Sequence, residues 1–205
     1  MMKSQLLAVL VSIGVAGCGV TGTKAMLPIG TARATADFAS YDLRRVGVLP
    51  PRGEVLEPEL AIALRDALAA AFVAETSYEI VPLGEREMES IERLDPARTG
   101  RIPPEAILEI ARRAGLDAVF ATRVVDLRPY EPVRLGIEVD LITVETGLVT
   151  WSAQVRVDTG DSRTLDVIET WQLSTRAGGE SERAVDILSP RRLAEFAAAQ
   201  VAMLL

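Results

Sequence analysis

Residues 116–157 read LDAVFATRVVDLRPYEPVRLGIEVDLITVETGLVTWSAQVRV, and this stretch decides the fold. From Val133 the odd positions are Val133, Leu135, Ile137, Val139 and Leu141, with Arg134, Glu138 and Asp140 between them. A period of two places one set on a buried face and the other toward water or a partner, so the stretch predicts β-strands. Glu145-Thr146-Gly147 interrupts the run, and Val149, Trp151, Ala153, Val155 and Val157 resume the alternation. This is a hairpin whose turn uses the permissive backbone of Gly147. Including the strand that starts at Asp117, the stretch predicts a three-stranded meander.

The composition narrows the function classes. The chain of 205 residues is 49% hydrophobic, enough for one domain with a sizeable core. Only 4% of residues are aromatic and the net charge is −7, so neither base-stacking platforms nor a basic footprint is available, and nucleic acid is not an expected partner. There is no histidine, which removes the commonest general base and the commonest metal ligand. Cys18 is the only cysteine, so an internal disulfide and multi-cysteine zinc sites are excluded.

Where that cysteine stands is informative. Lys3 gives a short basic start, Leu6 to Val15 an apolar run too short for a permanent span, and Ala16 and Gly17 a small-residue cleavage site. Val15-Ala16-Gly17-Cys18 resembles a bacterial lipobox. The resemblance implies cleavage before Cys18 and acylation of its thiol and amine, several chains that together hold a protein stably on a bilayer. Gly19 rather than aspartate follows, which in Gram-negative lipoproteins implies the outer membrane, on its periplasmic face.

Residues 1–17 are thus expected to be a signal peptide, 18–44 a lipidated N-terminus and flexible tether, and 45–205 a single α/β domain with a C-terminal helical extension. Gly19 to Lys24 lacks the spacing and preceding strand of a phosphate-binding loop and reads as linker. Arg45 to Leu49 is a strand stopped by Pro50-Pro51. Leu60, Leu64, Leu68 and Phe72 recur at intervals of four, with Pro58 in the first turn, as in an amphipathic helix lying on a sheet. Tyr78 to Val81 is a second strand, the charged run Gly84 to Arg93 a short solvated helix, and Asp95 to Arg101 a loop.

Pro103 to Ala114 is a second firm helix, with Glu105 at its start, Arg112 and Arg113 at its end and Gly115 as its left-handed stop. After the meander, Asp161 to Thr175 is a helix with Leu165, Ile168 and Trp171 facing the core. Ala177 to Arg183 is a flexible link. Ser189-Pro190 opens a terminal helix with Leu193, Phe196, Ala197, Val201 and Leu204 on one side. The whole is a mixed sheet of about five strands with helices mainly on one face. Arg134, Glu138, Asp140, Thr150, Ser152, Gln154 and Arg156 then form a polar contact face on the other.

No catalytic constellation is expected. Signal cleavage leaves Lys24 as the only lysine, in the tether, so serine-lysine chemistry has no base. Glu85, Glu87, Glu89 and Glu92 form a solvated run, and Asp158 and Asp161 flank Gly160 as a turn and helix cap rather than a metal site. Trp151 falls on the core face and reads as packing. The sequence predicts no enzyme, cofactor or metal.

Val46-Gly47-Val48-Leu49-Pro50, Tyr78-Glu79-Ile80-Val81-Pro82, Ala114-Gly115-Leu116-Asp117-Ala118-Val119 and Glu145-Thr146-Gly147-Leu148-Val149-Thr150-Trp151-Ser152 resemble the consensus of the curli-secretion and TolB N-terminal-like group. The resemblance covers roughly Arg45 to Val157, and its motifs specify structure rather than activity. It implies an envelope accessory protein, often oligomeric, without catalysis. A curli-type pore needs extra alternating strands, and every such segment here is already used by the domain's own sheet. The expected role is a binding or assembly module anchored through Cys18, with envelope protein partners. The alternatives are a homo-oligomeric ring serving a polysaccharide or protein exporter, in which the acidic surface lines a passage for a cationic polymer, and a regulator of a cell-wall synthase.

Overall fold

The computed structural model describes residues 27–54, 56–84, 87, 102–175 and 189–205. The lipobox, the acidic residues 85, 89 and 92, the 95–101 loop and the 177–183 link lie outside them. Six strands, β1 (Gly30–Ala34), β2 (Arg45–Val48), β3 (Glu79–Pro82), β4 (Ala118–Arg128), β5 (Arg134–Thr143) and β6 (Val149–Asp158), form one sheet in the order β1-β6-β5-β4-β2-β3. β2 pairs in parallel with β3 and β4, and the remaining pairs are antiparallel. The four described α-helices are α1 (Pro58–Glu75), α2 (Pro104–Ala114), α3 (Ser162–Thr175) and α4 (Pro190–Ala202).

The meander forms as its alternation dictates. Val133, Leu135, Ile137, Val139 and Leu141 are buried together with Trp151, Ala153, Val155 and Val157, and α1, α3 and α4 cover them. Leu60, Leu64, Leu68 and Phe72 of α1 enter this core, where Phe72 stacks on Phe120 at 4.0 Å between ring centroids. Trp151 meets Phe120 edge-on at 6.1 Å and donates its indole N–H to the Leu204 carbonyl at 3.3 Å, so the buried polar edge of the ring is satisfied. Ile168 and Trp171 of α3 complete the layer, Trp171 meeting Phe196 at 5.4 Å. Leu165, expected in the core, is 43% exposed, because the α3 stripe that reaches the sheet runs through Thr164, Ile168 and Trp171 instead.

Helix α2 lies on the opposite face, where Ala106, Ile107, Ile110 and Ala111 join Leu49, Val119 and Ile142 in a second, smaller core. The strand order explains this. The connection through α1 steps from β2 to β3, whereas the connection through α2 steps back past β2 to β4. Right-handed crossovers that step in opposite directions place their helices on opposite faces of the sheet. Gly115 ends α2 at φ 62°, and Asp117 accepts the backbone N–H groups of Arg44 and Arg45 at 2.9 and 2.8 Å. The glycine-leucine-aspartate turn is therefore a structural latch that aligns β2 with β4.

The sixth strand comes from the segment expected to be tether. Residues 30–34 pair antiparallel with β6, Gly30 opposite Val155 and Ala34 opposite Trp151, followed by a single 3-10 turn at Phe38–Ser40. Ile29 donates its backbone N–H to the side-chain oxygen of buried Gln200 at 2.9 Å, tying the strand to α4. A Cβ on Gly30 would stand 2.7 Å from the Gln154 carbonyl oxygen and 2.8 Å from Leu204, so only glycine fits there. The domain thus begins well before residue 45, and the edge strand on this side of the sheet comes from sequence that carries no alternating signal.

Candidate contact face

The face of the meander away from α1 carries the polar half of the alternation, and no described helix covers it beyond the end held by α2. Pairing brings the expected residues together: Glu138 stands opposite Gln154, Asp140 opposite Ser152, and Arg134 opposite Asp158. Arg134 makes an ion pair with Asp158 at 3.0 Å, and Arg123 of β4 pairs with Glu138. Gln154, Arg156 and Arg134 are exposed, while Glu138, Asp140 and Ser152 are half-buried.

Thr150 does not belong to this face. The register shifts by one residue between Leu141, opposite Trp151, and Ile142, opposite Val149. Thr150 falls in that bulge and is 1% exposed, its hydroxyl directed to the Leu141 carbonyl at 3.4 Å, while Val149 turns out to 44% exposure. An inserted residue inverts the alternation beyond it, which strict counting cannot detect.

Three further residues of the face went unnoticed in the sequence. Arg123 sits in a strand whose even positions are core, and Thr31 and Arg33 lie in the supposed tether, opposite Gln154 and Ser152. Only the pairing partners of β5 and β6 reveal them. Among the described residues, two of the larger cavities open on the face. One, of about 410 Å³, lies where α2 meets the sheet, with Ile107, Ala121 and Ile142 as its apolar wall and Arg123, Glu138 and Asp140 on its rim. The other, of about 580 Å³, lies between the start of β1, β6 and the first turn of α3, lined by Thr31, Gln154, Arg156 and Arg163 among others.

The aspartates of the 158–161 turn serve the backbone. Asp158 accepts the Gly160 N–H at 2.9 Å, and Asp161 accepts both the N–H and the hydroxyl of Thr164, at 3.1 and 2.9 Å. The Thr164 hydroxyl, followed by its N–H, holds the Asp161 carboxyl below the usual carboxylate range. Among the described residues no cluster of acidic side chains is arranged to hold a metal ion, and no helix is long and apolar enough to cross a membrane.

Fold and face together define a six-stranded mixed α/β domain with one dry face and one polar, largely open face. No family model matches the chain, and no curated protein is significantly similar to it. Among solved structures it is similar to a PelC dodecamer from Paraburkholderia phytofirmans, at 18% identity and a TM-score of 0.46, covering 67% of this chain and 89% of that one. Lipoprotein GNA1162 from Neisseria meningitidis is similar at 17% identity and a TM-score of 0.44, covering 65% and 99%. The C-terminal domain of LpoB from Salmonella enterica gives 17% identity and a TM-score of 0.37, covering 56% and 83%. At these values no residue role or activity is carried across.

Proposed function

We propose that this chain is a non-catalytic outer-membrane lipoprotein of the curli-secretion and TolB N-terminal-like group, anchored through Cys18 on the periplasmic side. It acts as a binding and assembly module by docking an envelope protein on the polar sheet face. The observation that carries this reading is the face itself. Arg123, Glu138, Asp140 and Ser152, at the α2 end of the face, come from three paired strands, and a rigid sheet presents them without the entropy cost of ordering loops. The 410 Å³ cavity beside them supplies the apolar socket that a central anchor residue of a partner would fill.

Photo-crosslinking in cells tests the docking. A crosslinker at Ser152 is expected to capture a defined envelope protein, one at Glu75 on α1 is not, and Glu138→Arg is expected to abolish the Ser152 product. Equal capture from both positions overturns the assignment. Labelled palmitate tests the anchor separately, since Cys18→Ser must remove the label.

The exposed edge of β1 favours a second reading, a ring-forming subunit of a polysaccharide or protein exporter. An edge strand offers unpaired backbone groups to a second copy of the chain. Light scattering on the purified protein separates the readings, because a strict monomer at high concentration rules out the ring. Regulation of a cell-wall synthase is a special case of the first reading, checked by direct binding to a synthase ectodomain.

A further inference from the structure

We propose that the 580 Å³ cavity between the start of β1, β6 and the first turn of α3 binds the phosphate of anionic phospholipid headgroups, holding the domain against its own membrane. The inference rests on the lipid anchor of the preceding reading for which end of the domain faces the bilayer. The cavity's size is in the range of small-ligand sites.

Its chemistry favours an anion. Arg156 projects from β6 and Arg163 from α3, both exposed, and neither makes an ion pair among the described residues. Nearby arginines are engaged, Arg134 by Asp158 and Arg123 by Glu138, in a chain whose net charge is −7. The carboxylate in the described lining, Asp161, accepts the Thr164 N–H and hydroxyl and also feels the Arg163 charge, and the two arginines outnumber it. Arg163 also stands in the first turn of a helix, where the dipole disfavours a cation and an arriving anion offsets the cost. Thr31 and Gln154, opposite one another across β1 and β6, add neutral hydrogen-bonding groups. The described lining has no aromatic residue on which a sugar could stack.

Position agrees with the chemistry. Pro28 and Thr31 line the cavity, and Pro28 is ten residues beyond Cys18. A fully extended chain of that length spans at most about 35 Å, so acylation keeps the cavity within reach of the lipid surface. Each basic side chain near an anionic leaflet strengthens association about fivefold, and with the Asp161 charge set against the two arginines the lining's net positive charge is worth roughly fivefold.

Cys18 is the only native cysteine, so Ser162→Cys introduces a single site for a spin label in the acylated protein, with Ile62→Cys on α1 as control. In phosphatidylcholine vesicles containing phosphatidylglycerol, the label at position 162 is expected at headgroup depth. In phosphatidylcholine alone it is expected in water, and the control is expected in water in both. Arg156→Gln with Arg163→Gln is expected to return the 162 label to water at unchanged melting temperature, since both arginines are exposed. Equal depth in the two vesicle types, or no effect of the double substitution, overturns the inference. Inorganic phosphate binding to the protein in phosphatidylcholine vesicles, lost in the double variant, assigns the cavity to a free anion and overturns the headgroup. Labelling at Cys18 itself reports a missing acyl chain. It refutes the anchor reading separately, and the orientation inferred from that anchor falls with it.

Discussion

The two faces of one sheet are built from alternate residues of the same strands and do different work. On the side under α1, α3 and α4, the meander contributes Leu135, Ile137, Val139, Leu141, Trp151, Ala153 and Val155 to a dry core closed by Phe72, Phe120 and Phe196. On the other side, one residue along each strand, Glu138, Asp140, Ser152, Gln154 and Arg156 stand in the open or at the edge of cavities. Dry packing and exposed polar chemistry are thus separated by the pleat. A residue on the open face can change at little cost to the fold.

The sharpest way to break this comparison is one substitution on each side. Phe120→Ala removes a fully buried ring stacked on Phe72, and urea denaturation is expected to show a loss of about 3–5 kcal/mol. Gln154→Ala, on the exposed side, is expected to stay within about 0.5 kcal/mol. Comparable losses would mean that the open face is also structural.

A smaller effect is expected at the strand joining the two regions. Gly30→Ala forces a Cβ against the Gln154 carbonyl and Leu204, and a loss of about 1–3 kcal/mol is expected. Hydrogen exchange should place it locally, with β1 amides losing protection while β5 keeps its own.

Asp161→Ala removes the acceptor for the Thr164 N–H and hydroxyl, and circular dichroism is expected to show fraying of α3 near neutral pH. The folded carboxyl titrates below its ordinary 3.8, so its contribution is present above that value and is lost as pH falls through the depressed one. The difference between parent and variant should therefore close in acid. The smallest effect on stability belongs to the face itself: Glu138→Gln breaks the half-exposed pair with Arg123 and is expected to cost less than about 1 kcal/mol. The same change should weaken partner capture, which would separate contact from stability at one residue.

Much of this arrangement was legible in the sequence for local reasons. The helix over residues 58–75 follows from an apolar repeat every four residues, and the end of α2 follows from Gly115, whose left-handed backbone the sequence anticipates. The three meander strands and most of the polar face follow from alternation, and β2 and β3 from short apolar runs stopped by proline. β1 was not legible because Gly30, Thr31, Ala32, Arg33 and Ala34 are small or polar and take their conformation from β6. Thr150 was misplaced because a bulge shifts the faces by one residue without changing residue types. Arg123, Thr31 and Arg33 were missed because membership of a face depends on which strands are neighbours.

The sequence by itself determined what nearest neighbours along the chain control: element types, their caps and stops, and the alternation that separates core from surface. Only the tertiary structure decided the strand order, the placement of α2 opposite α1, and the recruitment of residues 30–34 as a sixth strand. Periodicity records whether a side chain faces the core, and it is the same whichever strand lies alongside. Strand order is settled by crossover handedness and by backbone groups that find partners more than a hundred residues away.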